Sequence, residues 1–175
     1  MGSYRKRNPV PGEIAKGISP GRKPLVLEID EVRIGVLVCG DVFDPSLYRE
    51  MGELEVDIVF IPTTSAYRPA DSLSRKVHRD EIYFRSGAEL AGAYVVKTCG
   101  VGEIFGHPLQ GRSLIAAPWG LLARVQSQSE QEKRLVREIL DISELRDFRT
   151  KYRLAGHDAV PVQNGGDVDL RPTDR

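Results

Sequence analysis

The run Val32-Arg33-Ile34-Gly35-Val36-Leu37-Val38-Cys39 constrains this chain more than any other segment. After Arg33 both alternating positions are apolar or small, a pattern that a half-solvated strand does not show. It predicts a central strand covered on both faces. A helix follows: Asp44 suits its cap, Pro45 its first position, and Leu47, Met51 and Leu54 share one face. Asp57-Ile58-Val59-Phe60-Ile61 reads as the next strand, closed by Pro62. The loop Thr63 to Pro69 then leads into a helix of about twenty residues, with Leu73, Val77, Phe84, Ala88 and Ala91 as its apolar stripe. Ala93 to Thr98 is a further strand. Strand, helix, strand, helix, strand is the order of an α/β layered domain with right-handed crossovers.

The flanks are less regular. Residues 4–24, rich in Pro, Gly and basic side chains, read as a strand stub and a long loop, and Leu25 to Ile29 as a short strand before an Asp30-Glu31 turn. Beyond a Gly-rich loop, Ser113 to Ala117 and Leu122 to Gln126 flank a Pro118-Trp119-Gly120 turn; with no helix between them they are expected to be antiparallel or mixed. Leu135 to Leu140 reads as extended, and Ile142 to Arg149 as a helix packing through Leu145 and Phe148. From Leu154 the composition shifts to Gly, Asp, Pro and Asn, so the chain divides into a domain over 1–153 and a flexible tail over 154–175, or an arm ordered by a partner subunit.

Composition removes several function classes. With 41% apolar residues in 175, one sizeable core is available. Lys plus Arg equals Asp plus Glu at 25 each, which argues against a nucleic-acid binder. No apolar run approaches the ~18 residues that cross a bilayer, and no apolar stretch follows the basic N-terminus, so a cytoplasmic location is expected. Two cysteines are too few for a disulfide scaffold or a closed zinc site.

Cys39 stands where the buried strand ends, before Gly40, Asp41 and the helix at Pro45. A nucleophile there projects into the crevice beyond the strand ends, where open α/β sheets bind ligands. Gly40, without a side chain, lets its backbone N–H approach a developing oxyanion. A cysteine packed as a small hydrophobe is the other reading. Lys6 in Tyr4-Arg5-Lys6-Arg7 reads as part of a solvated basic cluster, and Glu13 in Pro11-Gly12-Glu13 as a loop carboxylate. Gly100 to Gly106 has the spacing G-x-G-x-x-x-G and follows the third major strand, so no dinucleotide site is assigned. His78, His107 and His157 lack neighbours at metal-ligand spacing, and no G-x-S-x-G supports Ser113 as a nucleophile. Cys99 ends a strand too, and either lines the crevice of Cys39 or is simply packed.

Together these pieces resemble the nitrilase superfamily, the carbon–nitrogen hydrolases. Tyr4-Arg5-Lys6 is similar to its lysine motif, and Arg33 to Asp41 to its nucleophile strand. Arg85-Ser86-Gly87-Ala88-Glu89 is similar to its R-A-x-A-x-E-N helix, and Gly111 to Gly120 to its G-x-S-x-x-x-x-P-x-G turn. The ordered set spans Tyr4 to about Arg149. The resemblance implies an α-β-β-α sandwich, incomplete at the N-terminus. It implies Cys39 as nucleophile, Lys6 as catalytic lysine, Glu13 as an assisting glutamate, and Gly40, Thr63 and Thr64 as oxyanion or binding positions. The substrate would be a small amide, carbamoyl compound or nitrile, cleaved through a thioester with neither cofactor nor metal, in a homo-oligomer without nucleic-acid or membrane partners.

The departures are equally specific. The family's general-base glutamate lies upstream of the lysine motif, and Met1 stands three residues before Tyr4. Leu90 replaces the asparagine after Glu89, and Gly40 stands where bulkier residues are frequent. Two readings follow: the C-terminal part of a hydrolase, inactive or nearly so without its base, or a non-catalytic module for assembly or ligand binding.

Overall fold

The computed structural model describes residues 2–67, 71–104, 106–126 and 131–154. Its centre is a six-stranded sheet in the order β1-β2-β3-β4-β7-β8, beside a separate two-stranded hairpin, β5-β6. Strands β1 (Val26–Ile29) and β2 (Val32–Val36) are antiparallel, joined by Asp30 and Glu31 at φ 47° and 66°. Two consecutive positive φ values match the twist of a tight hairpin. β2, β3 (Ile58–Thr63) and β4 (Tyr94–Cys99) run parallel, and β7 (Leu114–Ala117) and β8 (Gly120–Arg124) add antiparallel partners. The described residues thus form a mixed α/β fold built on one main sheet.

One face of that sheet is covered by helices. Val59 and Ile61 of β3, Val95 of β4, and Leu114 and Ala116 of β7 form a buried core with α2 (Pro45–Glu53) and α4 (Ser86–Ala91). α2 starts as its sequence suggests: Asp44 accepts from the Ser46 N–H at 3.0 Å, ahead of Pro45. Leu47 and Met51 are buried, and so is Tyr48, whose hydroxyl donates to the Tyr83 carbonyl at 2.7 Å. A Cβ on Gly87 would lie 2.3 Å from the Tyr48 ring, so only glycine lets α4 approach α2 this closely.

Among the described residues, the other face is covered at one end only. There Tyr94, Ala117 and Leu145 of α5 (Ile142–Leu154) form a second cluster, while Phe60 stays 38% exposed. β2 is therefore half-buried along most of its length rather than covered on both faces.

Several expectations are corrected. The segment 4–24 contains no strand among the described residues; instead α1 (Pro11–Ile14) forms one helical turn. β3 continues through Pro62 to Thr63, because Pro62 shares the parity of Phe60, whose carbonyl serves Leu37, and β2 has already ended beside Pro62. The long helix is three pieces: α3 (Leu73–Asp80), a π-turn (Glu81–Arg85) and α4. Leu73 is 40% exposed, and the buried side chains of α3 are polar, Lys76 and Asp80. The Gly-rich loop carries the hairpin of β5 (Gly102–Ile104) and β6 (His107–Leu109). Leu135 to Leu140 joins no strand, with Leu135 90% exposed, and α5 runs past Arg149 to Leu154. The tail beyond Leu154 lies outside the described residues.

Candidate active site

The site begins where β2 stops. The Leu37 N–H still bonds to the Phe60 carbonyl at 3.1 Å, but Cys39 adopts φ +46° and opens a 3-10 turn, Cys39–Phe43. A left-handed conformation at a residue with a Cβ is strained and persists only where surroundings enforce it. The turn lifts Cys39 to the end of the sheet, where its Sγ lies 3.8 Å from the Thr64 carbonyl in donor geometry.

A cleft of about 490 Å³ opens at this edge, lined among others by Cys39, Glu13, Thr63, Thr64, Thr98 and Cys99. Parallel strand ends leave such a crevice because the connections diverge there. Cys39, Glu13, Thr63 and Thr64, which the sequence singles out, thus meet in one place. Thr63 is half-buried and its hydroxyl donates back to the Ile61 carbonyl at 3.1 Å, whereas Thr64 is exposed.

Lys6 is not in bulk solvent. Its side chain is 10% exposed, its Nζ donates to Glu13 Oε2 at 2.5 Å, and its Cε would lie 3.2 Å from a Cβ placed on Gly40. A Cβ there would also stand 3.0 Å from the Asn8 carbonyl oxygen and from Val10, so the absent side chain lets the Lys6 segment lie against the turn. Glu13 Oε2 also accepts from the Val10 N–H at 2.8 Å. Burial pushes the Glu13 carboxyl up, but the Lys6 and Val10 hydrogen bonds and the Lys6 charge outweigh it and hold the group below its ordinary range. Glu13 is therefore a carboxylate at neutral pH.

Sequence reasoning passed over the group that organises this corner. Asp41 is fully buried and accepts from Tyr4, Arg7, Asn8 and Val38. Its one visible signal was its place two residues after Cys39.

Around α3, Asp80 accepts from Lys97 at 2.6 Å and from Arg112 at 2.9 Å; Arg112 also reaches Gln110 and Ser65, while Lys76 donates to the Ala66 carbonyl at 2.8 Å. Arg112 and Lys76 thereby tether the loop that follows Thr64. Cys99 lines the cleft as well, with its thiol pushed up by burial, and its N–H donates to the Ser113 hydroxyl at 3.0 Å. Ser113 is thereby a structural acceptor. The Arg85–Glu89 pair of the helix motif is an exposed contact at 3.7 Å, and Leu90 is half-buried. His78 and His107 are exposed, and His157 lies outside the described residues. Among the described residues no cluster of three or more His, Cys, Asp or Glu side chains is placed to hold a metal, and no helix is long and apolar enough to cross a membrane.

A cysteine on a tight turn at the end of a parallel strand, with a lysine–glutamate pair against the same turn, defines a thiol-bearing α/β cleft. The family model for carbon–nitrogen hydrolases matches residues 1–150, and the chain belongs to that family. Two Mycobacterium tuberculosis proteins, from two strains and named only as hydrolases, are 30% identical over 131 residues, covering 71% of this chain and 46% of theirs. The chain thus spans about half the length of these curated relatives. Among solved structures, a carbon–nitrogen hydrolase from Helicobacter pylori superposes with a TM-score of 0.75 at 19% identity, covering 93% of this chain and 59% of its own. A cysteine-to-alanine mutant of a Nesterenkonia amidase from the nitrilase superfamily gives 0.67 at 23%, covering 89% and 56%. These likenesses establish the fold.

Proposed function

We propose that this chain carries the nucleophile half of an amidase-type active site. Cys39 would attack the electrophilic carbon of a small amide, carbamoyl compound or nitrile. An amide or carbamoyl group would expel ammonia or an amine and leave a thioester; a nitrile would give a thioimidate, which one water converts to the thioester with loss of ammonia. A further water would then cleave the thioester and release the acid. The Gly40 N–H and the Lys6 ammonium would stabilise the charge that develops on the substrate's oxygen or nitrogen. Glu13 would hold Lys6 in place, and Thr63 and Thr64 would line the binding wall. The observation that carries this reading is the shared corner: Lys6 and Glu13 form a close pair against Gly40, the residue after the cleft cysteine. In support, the Nesterenkonia amidase is described both with butyramide bound and with an acetamide moiety added covalently at its active-site cysteine.

Residues 1–175 contain no match to the family's general-base glutamate. Turnover is therefore expected to need a carboxylate from outside them, and residues 1–175 by themselves to be inactive or nearly so. Location in the cytoplasm and assembly into a homo-oligomer belong to the same proposal. The test is ammonia release from acetamide, propionamide and butyramide, by residues 1–175 alone and by the longest reading frame that contains them. Release by the longer protein, abolished by Cys39→Ala, is the expected result. Release that survives Cys39→Ala refutes the role of Cys39, and no release from either favours a non-catalytic module.

A further inference from the structure

We infer that Asp41 is a positioning residue that docks the Lys6 segment onto the Cys39 turn, so that one carboxylate sets the geometry of both groups. The inference rests on the reading in which Lys6 and Cys39 act together. Asp41 is completely buried. Its Oδ1 accepts from the backbone N–H groups of Arg7 at 2.9 Å and Asn8 at 2.6 Å. Its Oδ2 accepts from the Tyr4 hydroxyl and the Val38 N–H, both at 2.8 Å. Donors at 4, 7 and 8 bracket Lys6, and the donor at 38 precedes Cys39 in the chain.

An ionised carboxylate offers about four lone-pair sites, and here each oxygen serves two donors. The Val38 contact folds the side chain back over its own turn, the turn that forces Cys39 to φ +46°. The other three contacts fasten a segment more than thirty residues away in sequence onto that turn. Asn8 adds a second tie through its side-chain amide, which donates to the Gly40 carbonyl at 3.0 Å. The Arg7 guanidinium is directed elsewhere, to Glu50. All four donors to Asp41 are therefore formally neutral, and the task of the carboxylate is directional: it gathers N–H and O–H groups from two strands of chain. Asparagine cannot replace it, because its NH₂ would face two donors in place of an acceptor.

The experiment reads the alkylation rate of Cys39 by iodoacetamide from pH 6 to 10, resolved from Cys99 by peptide mass spectrometry, in the chain and in Lys6→Ala, Asp41→Asn, Tyr4→Phe and Lys6→Ala/Asp41→Asn. Circular dichroism and thermal melting report folding for each. The Lys6–Glu13 pair packs against Gly40, the residue after Cys39, so Lys6→Ala is expected to slow Cys39 labelling at pH 7 by about tenfold. Asp41→Asn should reproduce most of that, about fivefold, and Tyr4→Phe, which removes one hydrogen bond, about twofold to threefold. Because Asp41 acts through Lys6, the double variant should match Lys6→Ala within about twofold rather than multiply the two losses. Should Asp41→Asn fail to fold, Tyr4→Phe alone decides. A folded Asp41→Asn or Tyr4→Phe with an unmoved Cys39 profile, or losses that multiply, overturns the inference while Lys6→Ala still upholds the hydrolase reading. A Cys39 profile indifferent to Lys6→Ala overturns both.

Discussion

The two ends of the parallel strands each hold a buried aspartate, and the two are served by different partners. At the strand N-termini, Asp57 is 1% exposed and accepts from Arg146 at 2.9 Å, from Arg149 at 3.0 Å and from the Arg33 N–H at 3.0 Å. The same arginines reach the carbonyls of Glu31, Val56 and Gly92, so α5 is latched to the sheet by charge. At the strand C-termini, Asp41 has only neutral donors, and the nearby cation, Lys6, is paired with Glu13. At the cleft end Asp41 gathers its segments through neutral N–H and O–H donors, and the Lys6–Glu13 pair lies against Gly40, the residue after Cys39.

That contrast can be broken by substitutions acting at one end only. The largest effect expected is on chemistry: in the longer reading frame, Cys39→Ala should lower ammonia release by more than about a thousandfold while stability moves by about 1 kcal/mol or less. Asp57→Ala should do the reverse. Denaturant unfolding is expected to show a loss of about 3–5 kcal/mol, because two guanidinium groups lose their buried partner, with Cys39 labelling of the folded fraction unchanged. The same latch gives a pH signature. Burial raises the Asp57 carboxyl, but the Arg146 hydrogen bond, the Arg33 N–H and the two positive charges more than offset this and lower it. Its stabilising effect is then full above the unfolded value of about 4 and fades as pH falls through the lower folded value. Asp57→Asn should flatten that acid limb, measured as melting temperature against pH.

Cys99→Ala sharpens the comparison within the cleft itself. Burial raises this thiol, so it remains protonated at neutral pH and should alkylate appreciably only above the ordinary thiol range near 8.5. Its replacement is expected to change stability by about 1 kcal/mol and the rate of ammonia release by less than about twofold. The smallest effect belongs to Arg85→Ala, which removes an exposed helix pair and should cost less than about 0.5 kcal/mol in the same denaturant assay.

What the sequence reveals follows the range of the interactions involved. β3, β4 and α2 were legible because their patterns arise from local burial and a local cap, Asp44 before Pro45. The helix after Thr63 was legible in extent but not in kind. Its π-turn and the burial of Lys76 and Asp80 depend on Lys97 and Arg112, partners seventeen and thirty-two residues from Asp80. The hairpin β5-β6 is too short to show alternation. The stretch holding Leu135 and Ile139 reads as extended from its composition; it joins no strand among the described residues, and the two side chains stay 90% and 84% exposed. Cys39 was suggested by its place at a strand end, whereas Lys6 and Glu13 gained meaning only through the family resemblance. No local pattern marks Asp41 or Asp57 as hubs, because apart from Val38 their donors arrive from distant segments.

The most direct measurement compares acrylamide addition at Cys39 and Cys99 near pH 7, in the chain and in Lys6→Ala. Addition at Cys39 should outpace Cys99 by about tenfold or more and lose most of that advantage in Lys6→Ala. Equal addition at the two cysteines, unaffected by Lys6→Ala, would contradict a working corner built from Lys6 and Cys39.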